Sequence, residues 1–282
     1  MNPDKMATGA SARILFILSL LGLALLLYPF VSNYYNSFRA THAIMDYSDT
    51  VATMDEEKLC AVRASAEEYN RCLATEHASY DISDSMLKRY YTELDVNEDG
   101  IMGYIDIPKI NVWLPIYHGT DDSVLQIAAG HIPWSSLPVG GDSSHCVISG
   151  HRGLPSATLF SDLDKLETGD EVLLHVLNET YTYVVDSVSI VLPQDIQGLQ
   201  IREGSDLLSL VTCTPYGINS HRLIVHCVRT GEAAETRTIT VTPDAAVLPL
   251  SITTPLIGIP MLGLFLSLQA LMDQWIRKYR RV

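Results

Sequence analysis

An apolar run opens the chain and another closes it, and between them the hydrophobic period shifts from that of helices to that of strands. Ile14 to Val31 is eighteen residues without a charge, preceded by Lys5 and Arg13, which is long enough for a membrane-spanning helix. No small-x-small cleavage site follows, so it reads as a retained anchor rather than a signal peptide. From Asn36 to about Ala74 the chain is rich in Ala, Glu, Met and Leu and contains neither Pro nor Gly, which predicts one or two helices. Short β-like runs then recur at Tyr104 to Ile107, Val112 to Ile116, His145 to Ser149, Glu171 to Val176, Tyr181 to Val191, Leu207 to Cys213 and Arg222 to Val228. Turn residues separate most of them, and Asp122 to Ala129 reads as a short helix. Many short strands at this spacing predict a mainly β fold, a closed barrel or a sandwich.

The last apolar run, Ala245 to Met272, is uncharged for twenty-eight residues and ends in the basic tail Arg277-Lys278-Tyr279-Arg280-Arg281. That length spans a bilayer with tilt, or with a kink at Pro255 or Pro260. Basic residues flank both runs on their outer sides, so the positive-inside rule puts both termini in the cytoplasm and the middle of the chain outside the cell. The expected organisation is a cytoplasmic stub and anchor over 1–31, a helical spacer over 32–100, a β domain over 101–230, a linker over 231–244, and a second span with its tail over 245–282.

Charge narrows the partners. Between Ser32 and Asp244 there are 13 Lys and Arg against 31 Asp and Glu, a balance that argues against nucleic acid and against anionic lipid. Of the five cysteines, Cys60 and Cys72 fall in one predicted helix about 18 Å apart, too far for a disulfide. Cys146 and Cys227 sit inside apolar runs, as small core residues do. No Cys/His spacing reads as a zinc site. Asp95-Val96-Asn97-Glu98-Asp99-Gly100 has the start of a calcium loop, but the position of the usual bidentate Glu holds Asp106 inside a strand-like run. It reads as a polar turn entering the first strand.

Cys213 differs from the other cysteines. It ends a β-branched apolar run, is followed by the turn Pro215-Tyr216-Gly217-Ile218-Asn219-Ser220, and has Arg222 at the start of the next run. Two neighbouring strands joined by that turn bring thiol and guanidinium together, where the cation favours a thiolate or the oxyanion formed after attack on a carbonyl. A base is still needed. His151 is the best candidate, in Ser149-Gly150-His151-Arg152-Gly153, where a strand-like run ends in a glycine-flanked polar turn. His145, His175 and His226 lie within strand-like runs, where a structural histidine is the default. His221 is a rival base, but alternation puts it on the face opposite Arg222. The same alternation disfavours Arg152 as the cation.

These blocks resemble the sortases, cysteine transpeptidases of the Gram-positive cell surface. The family motif Thr-Leu-x-Thr-Cys reads here Ser209-Leu210-Val211-Thr212-Cys213, with Ser209 in place of the first Thr, and an arginine follows several residues on. Gly100 to Ile110, Ser136-Leu137-Pro138-Val139-Gly140-Gly141, Thr212 to Gly217 and His221-Arg222-Leu223 are similar to the pilin-polymerising class C enzymes, in their order, over about Tyr69 to Thr230. The resemblance implies an eight-stranded β-barrel with N-terminal helices, flanked here by two transmembrane helices, and His151, Cys213 and Arg222 as catalytic residues. It implies no cofactor and no metal. Its expected partners are pilin or surface-protein substrates with Leu-Pro-x-Thr-Gly-like sorting signals, and a pilin lysine amine as acceptor. Class C enzymes commonly carry a lid with an Asp-Pro-aromatic motif, whereas His77 to Leu94 here contains Asp81-Ile82-Ser83-Asp84 and no such motif. A lid is then absent or built from other residues. Two other readings stay open: a housekeeping sortase that attaches surface proteins to peptidoglycan, and a non-catalytic, membrane-tethered pilin-binding module.

Overall fold

A computed structural model describes residues 3–75 and 82–230, together with Ile259 and Gly263; the side chains of the first sixteen residues lie outside that description. Helix α1 (Pro3–Thr53) changes character along its length. Its apolar side chains from Ile17 to Val31 are largely exposed, whereas Ala40, Ile44, Tyr47 and Val51 are buried. Spacings of four, three and four residues place those four on one helical face, so the second half packs where the first does not. Among the described residues, the stretch of α1 from Ile17 onward is the one helix long and apolar enough to cross a membrane. The expected second span lies outside the described residues apart from Ile259 and Gly263, both helical.

After α1 come α2 (Glu56–Thr75) and α3 (Asp84–Tyr90), the latter capped by Ser83, whose hydroxyl accepts the Met86 amide. The two predicted helices over 36–74 are therefore the end of α1 and the whole of α2. Cys60 and Cys72 both lie on α2, and all five cysteines are free thiols. Asn70, on α2, exchanges two hydrogen bonds with the backbone of Leu137, at 2.7 and 3.1 Å. The described part of the lid region, α3, is built into the core. Met86 and Tyr90 are buried, and the Tyr90 hydroxyl bonds the ring and carbonyl of His131 and the Gly119 amide.

The rest is a closed barrel of eight strands, β1 (Ile101–Ile107), β2 (Val112–His118), β3 (Ala129–His131), β4 (Ser144–Ser149), β5 (Glu171–Val176), β6 (Glu179–Val191), β7 (Asp206–Thr214) and β8 (His221–Arg229). Around the barrel the order is β1-β2-β3-β4-β7-β8-β6-β5. The short helix α4 (Asp122–Leu125) precedes β3. At the entrance to β1, the Asp95 carboxylate accepts the amides of Asp99 and Gly100, which makes 95–100 a side-chain-capped turn. Seven strands match the apolar runs of the sequence. The eighth, β3, is three residues long with a central glycine, too short for alternation to reveal it.

Two pairs are parallel, β2 with β3 and β4 with β7. Leu208, Leu210, Leu223, Val225 and Cys227 point into the main core, while Val147, Val211 and Ile224 form a second cluster with Leu199. Because strand side chains alternate, this second cluster marks the outer face of β4, β7 and β8. The segment between β6 and β7 lies over it through Leu199 and Ile196.

Candidate active site

Parallel strands end at the same rim, and β4 and β7 therefore deliver the residues that follow Ser149 and Val211 to one place. The register pairs Ser149 with Val211, and the chain continues it, because the Gly150 amide donates to the Val211 carbonyl at 3.1 Å. The Thr212 hydroxyl donates in turn to the Gly150 carbonyl at 2.7 Å. Two residues further on, Arg152 Nη1 donates to Thr214 Oγ1 at 3.2 Å. The bonds from Gly150 to 211 and 212, and from the Arg152 side chain to Thr214, keep the segment carrying His151 beside the end of β7. On the other side of β7 the antiparallel register pairs Cys213 directly with Arg222. His151, Cys213 and Arg222 thus occupy neighbouring places on three adjacent chain segments, and Cys213 and Arg222 share the outer face with Val211 and Ile224. All three are partly exposed.

His221 pairs with Thr214, one step out of phase with Cys213, and its ring bonds the Ser220 hydroxyl at 2.9 Å. Arg222 Nη1 donates to the carbonyls of His221 and Asn219 at 3.2 and 3.4 Å, which folds the guanidinium over its own turn. The Thr214-Pro215 peptide at the start of that turn is cis.

The loop carrying His151 is held where glycine permits close approach. A Cβ on Gly150 would lie 2.6 Å from the Phe160 ring, and Gly153, at φ +80°, lies so close to the Tyr216 ring that a Cβ would be 3.0 Å away. The Phe160 amide donates to the His151 carbonyl at 3.1 Å. Arg152 turns inward, its side chain about one-tenth exposed, with Nη2 on Asp164 at 2.6 Å. That arrangement makes it a brace between the His151 loop and β7. Its role was not legible in the sequence, where Asp164 and Thr214 stand at unremarkable spacings.

Further along the outer face, the Ser209 hydroxyl lies 2.8 Å from His145 Nε2 and 3.1 Å from His226 Nδ1. Burial pushes His145 down to about 4, and burial also lowers His226. Neither ring is within a strand step of Cys213, in keeping with the structural reading of both. Among the described residues no group of three or more His, Cys, Asp or Glu could hold a metal ion.

Residues 105–230 match the sortase domain family. Sortase C1 from Streptococcus agalactiae is 50% identical, with a TM-score of 0.66, and the match covers 68% of this chain and 99% of that one. The chain belongs to the sortase family. Sortase C from Streptococcus pneumoniae, whose structure is described for its pilin substrate specificity, is 40% identical with a TM-score of 0.61, covering 69% of this chain and 99% of that one. Sortase C from Clostridium perfringens, solved with its C-terminal cell wall sorting motif, is 37% identical with a TM-score of 0.61, covering 68% and 100%. The chain spans about half the length of the curated relatives it matches, among them a sortase A of Streptococcus agalactiae, 32% identical over 47% of this chain and 55% of the relative.

Proposed function

We propose that the chain is a membrane-anchored cysteine transpeptidase that builds pili. Cys213 Sγ attacks the Thr carbonyl of a Leu-Pro-x-Thr-Gly-like sorting signal, and Arg222 braces the oxyanion or the substrate backbone. As the Thr-Gly bond breaks, His151 gives its proton to the departing amine, leaving a thioester on Cys213. A lysine amine of the next pilin subunit attacks that thioester, its proton passes to the base, and an isopeptide bond replaces the thioester as the thiol is released. The observation that supports this reading most is the direct pairing of Cys213 with Arg222, beside which the Gly150 bonds to Val211 and Thr212 hold the segment that carries His151. The class C neighbours support the pilin acceptor, and the partner bearing the sorting signal is inferred from the same neighbours.

The chain organisation proposed is an anchor over 1–31, a helical segment over 32–100, the catalytic barrel over 101–230, a linker, and a second span over 245–282, with the barrel outside the cell. Its support is the apolar pattern and basic flanks of both ends. The test of function is incubation of the full chain with a sorting-signal peptide and two amines, a lysine peptide and a peptidoglycan cross-bridge mimic. Ligation to lysine that disappears in Cys213→Ala is expected. Ligation to the cross-bridge mimic alone would make it a housekeeping enzyme, and binding without cleavage would make it a pilin-binding module.

A further inference from the structure

The loop 150–162 that carries His151 is tied to a part of the chain far from it in sequence. Asn36 Nδ2 donates to the Ser156 carbonyl at 2.9 Å. Asn33 Oδ1 accepts from both the Thr158 amide, at 2.8 Å, and the Thr158 hydroxyl, at 3.0 Å. Asn33 and Asn36 are three residues apart on α1, so both amides leave the same helical face and meet the loop together. Their chemical roles are fixed by the partners. A backbone amide can only donate and a backbone carbonyl can only accept, so Asn33 must present oxygen and Asn36 must present nitrogen.

Packing and hydrogen bonds together hold the loop. Downstream, Leu159 and Phe160 are buried in the main core. Upstream, the arm from Arg152 to Thr158 has Arg152 on Thr214 at one end and the asparagine pair at the other. Beside that pair runs an open groove lined by Asn33, Asn36, Asn111, Trp113, Ile127 and Thr158. Ala157, between Ser156 and Thr158, is buried in the main core, and the asparagine bonds hold the backbone on either side of it.

We infer that Asn33 and Asn36 are positioning residues, a latch through which α1 sets the arm bearing His151 against Cys213. This rests on the reading of His151 as the proton donor. The latch acts in the chemical step, because its hydrogen bonds reach the loop at Ser156 and Thr158 and touch neither Cys213 nor Arg222. Release lowers the fraction of molecules with His151 in place, and so lowers kcat while leaving KM nearly unchanged.

The donor and acceptor roles give a sharp test in the full chain in detergent, with a Leu-Pro-x-Thr-Gly peptide and a lysine acceptor. Asn33→Ala and Asn36→Asp each lower kcat about fivefold, as expected for a lost partly exposed hydrogen bond, with KM within about twofold. Asn33→Asp recovers most of the activity lost in Asn33→Ala, since a carboxylate accepts both Thr158 bonds. Asn36→Asp does not, since it has no donor and sets a charge against a carbonyl. Amide exchange supplies a readout independent of turnover: Thr158 loses protection in Asn33→Ala and retains it in Asn33→Asp. Wild-type kcat in Asn33→Ala and Asn36→Asp, with His151→Ala inactive, overturns the latch and leaves the proposed function standing. An Asn33→Asp chain as slow as Asn33→Ala overturns the donor–acceptor assignment on which the latch depends. An active His151→Ala overturns both the latch and the assignment of His151.

Discussion

Arg152 and His221 carry the sharpest contrasts at the scale of single residues. Arg152 reaches Thr214 with one guanidinium nitrogen and Asp164 with another, so it spans from the His151 loop to the residue after Cys213. Lysine keeps the charge but lacks the planar fork, and Arg152→Lys is expected to lower kcat about tenfold in steady-state ligation while the thiol stays reactive to alkylation. Asp164→Asn should cost less, because Asp164 is about half exposed and the ion pair is screened by solvent. Equal losses in the two variants would show that the ion pair, not the bond to Thr214, positions the loop. His151→Ala is expected to stop turnover and His221→Ala to leave it nearly intact, since His221 pairs with Thr214 and faces away from the thiol. Comparable damage from both would contradict the strand register. At this scale Cys213 and Arg222 were legible in the chain itself, because a tight turn between two strand-like runs fixes their pairing locally. His151 stood out as the candidate base by its glycine-flanked turn, but what holds its segment beside β7 did not, because those bonds join segments about sixty residues apart.

Among the elements, the segment from Leu192 to Ser205 between β6 and β7 decides how the outer face is covered. Leu199 packs on Val211, Ile224 and Val147, and His145 Nδ1 donates to the Gln200 carbonyl at 2.9 Å. That single carbonyl orders a chain of protons. With Nδ1 carrying hydrogen, His145 Nε2 accepts from Ser209, Ser209 accepts from His226 Nδ1, and His226 Nε2 accepts from Ser189 at 3.0 Å. The chain is satisfied with both rings neutral. Burial likewise pushes His131 down to about 3 and His175 to about 4. In the unfolded chain these rings titrate near 6.5, so the unfolded state takes up protons first as pH falls. Their contribution to stability is full above about pH 6.5 and is lost as pH drops toward 4. Asp106, pushed up by burial, works in the opposite sense near its own titration. The melting temperature of the protein should fall steadily from pH 7 to 4.5, and less steeply in His145→Gln; a flat profile would mean that the rings are not buried neutral. The strands were legible wherever alternation ran for four residues or more. β3 was not, since its place is set by pairing on both sides, with β2 and β4.

For the whole molecule, α1 joins an exposed apolar segment to a face buried on the barrel, with Tyr47 bonded to the Met102 carbonyl and the Leu177 amide at 3.1 and 2.8 Å. The apolar periodicity that marks such a join was present in the sequence, but what the second half packs against was not, because the barrel partners lie fifty-five and more residues away. The proposed topology puts both termini in the cytoplasm. Reporter fusions at either end should give cytoplasmic signals, and an external C-terminus would remove the second span from the account. The central claim is that Cys213 becomes acylated by a sorting signal. Intact-mass analysis of the full chain after brief exposure to a Leu-Pro-x-Thr-Gly peptide, without an amine acceptor, tests it directly. The account predicts one added acyl group, mapped to the peptide containing Cys213, released by hydroxylamine and absent in Cys213→Ala; peptide cleavage with no adduct on Cys213, or persisting in Cys213→Ala, would contradict it.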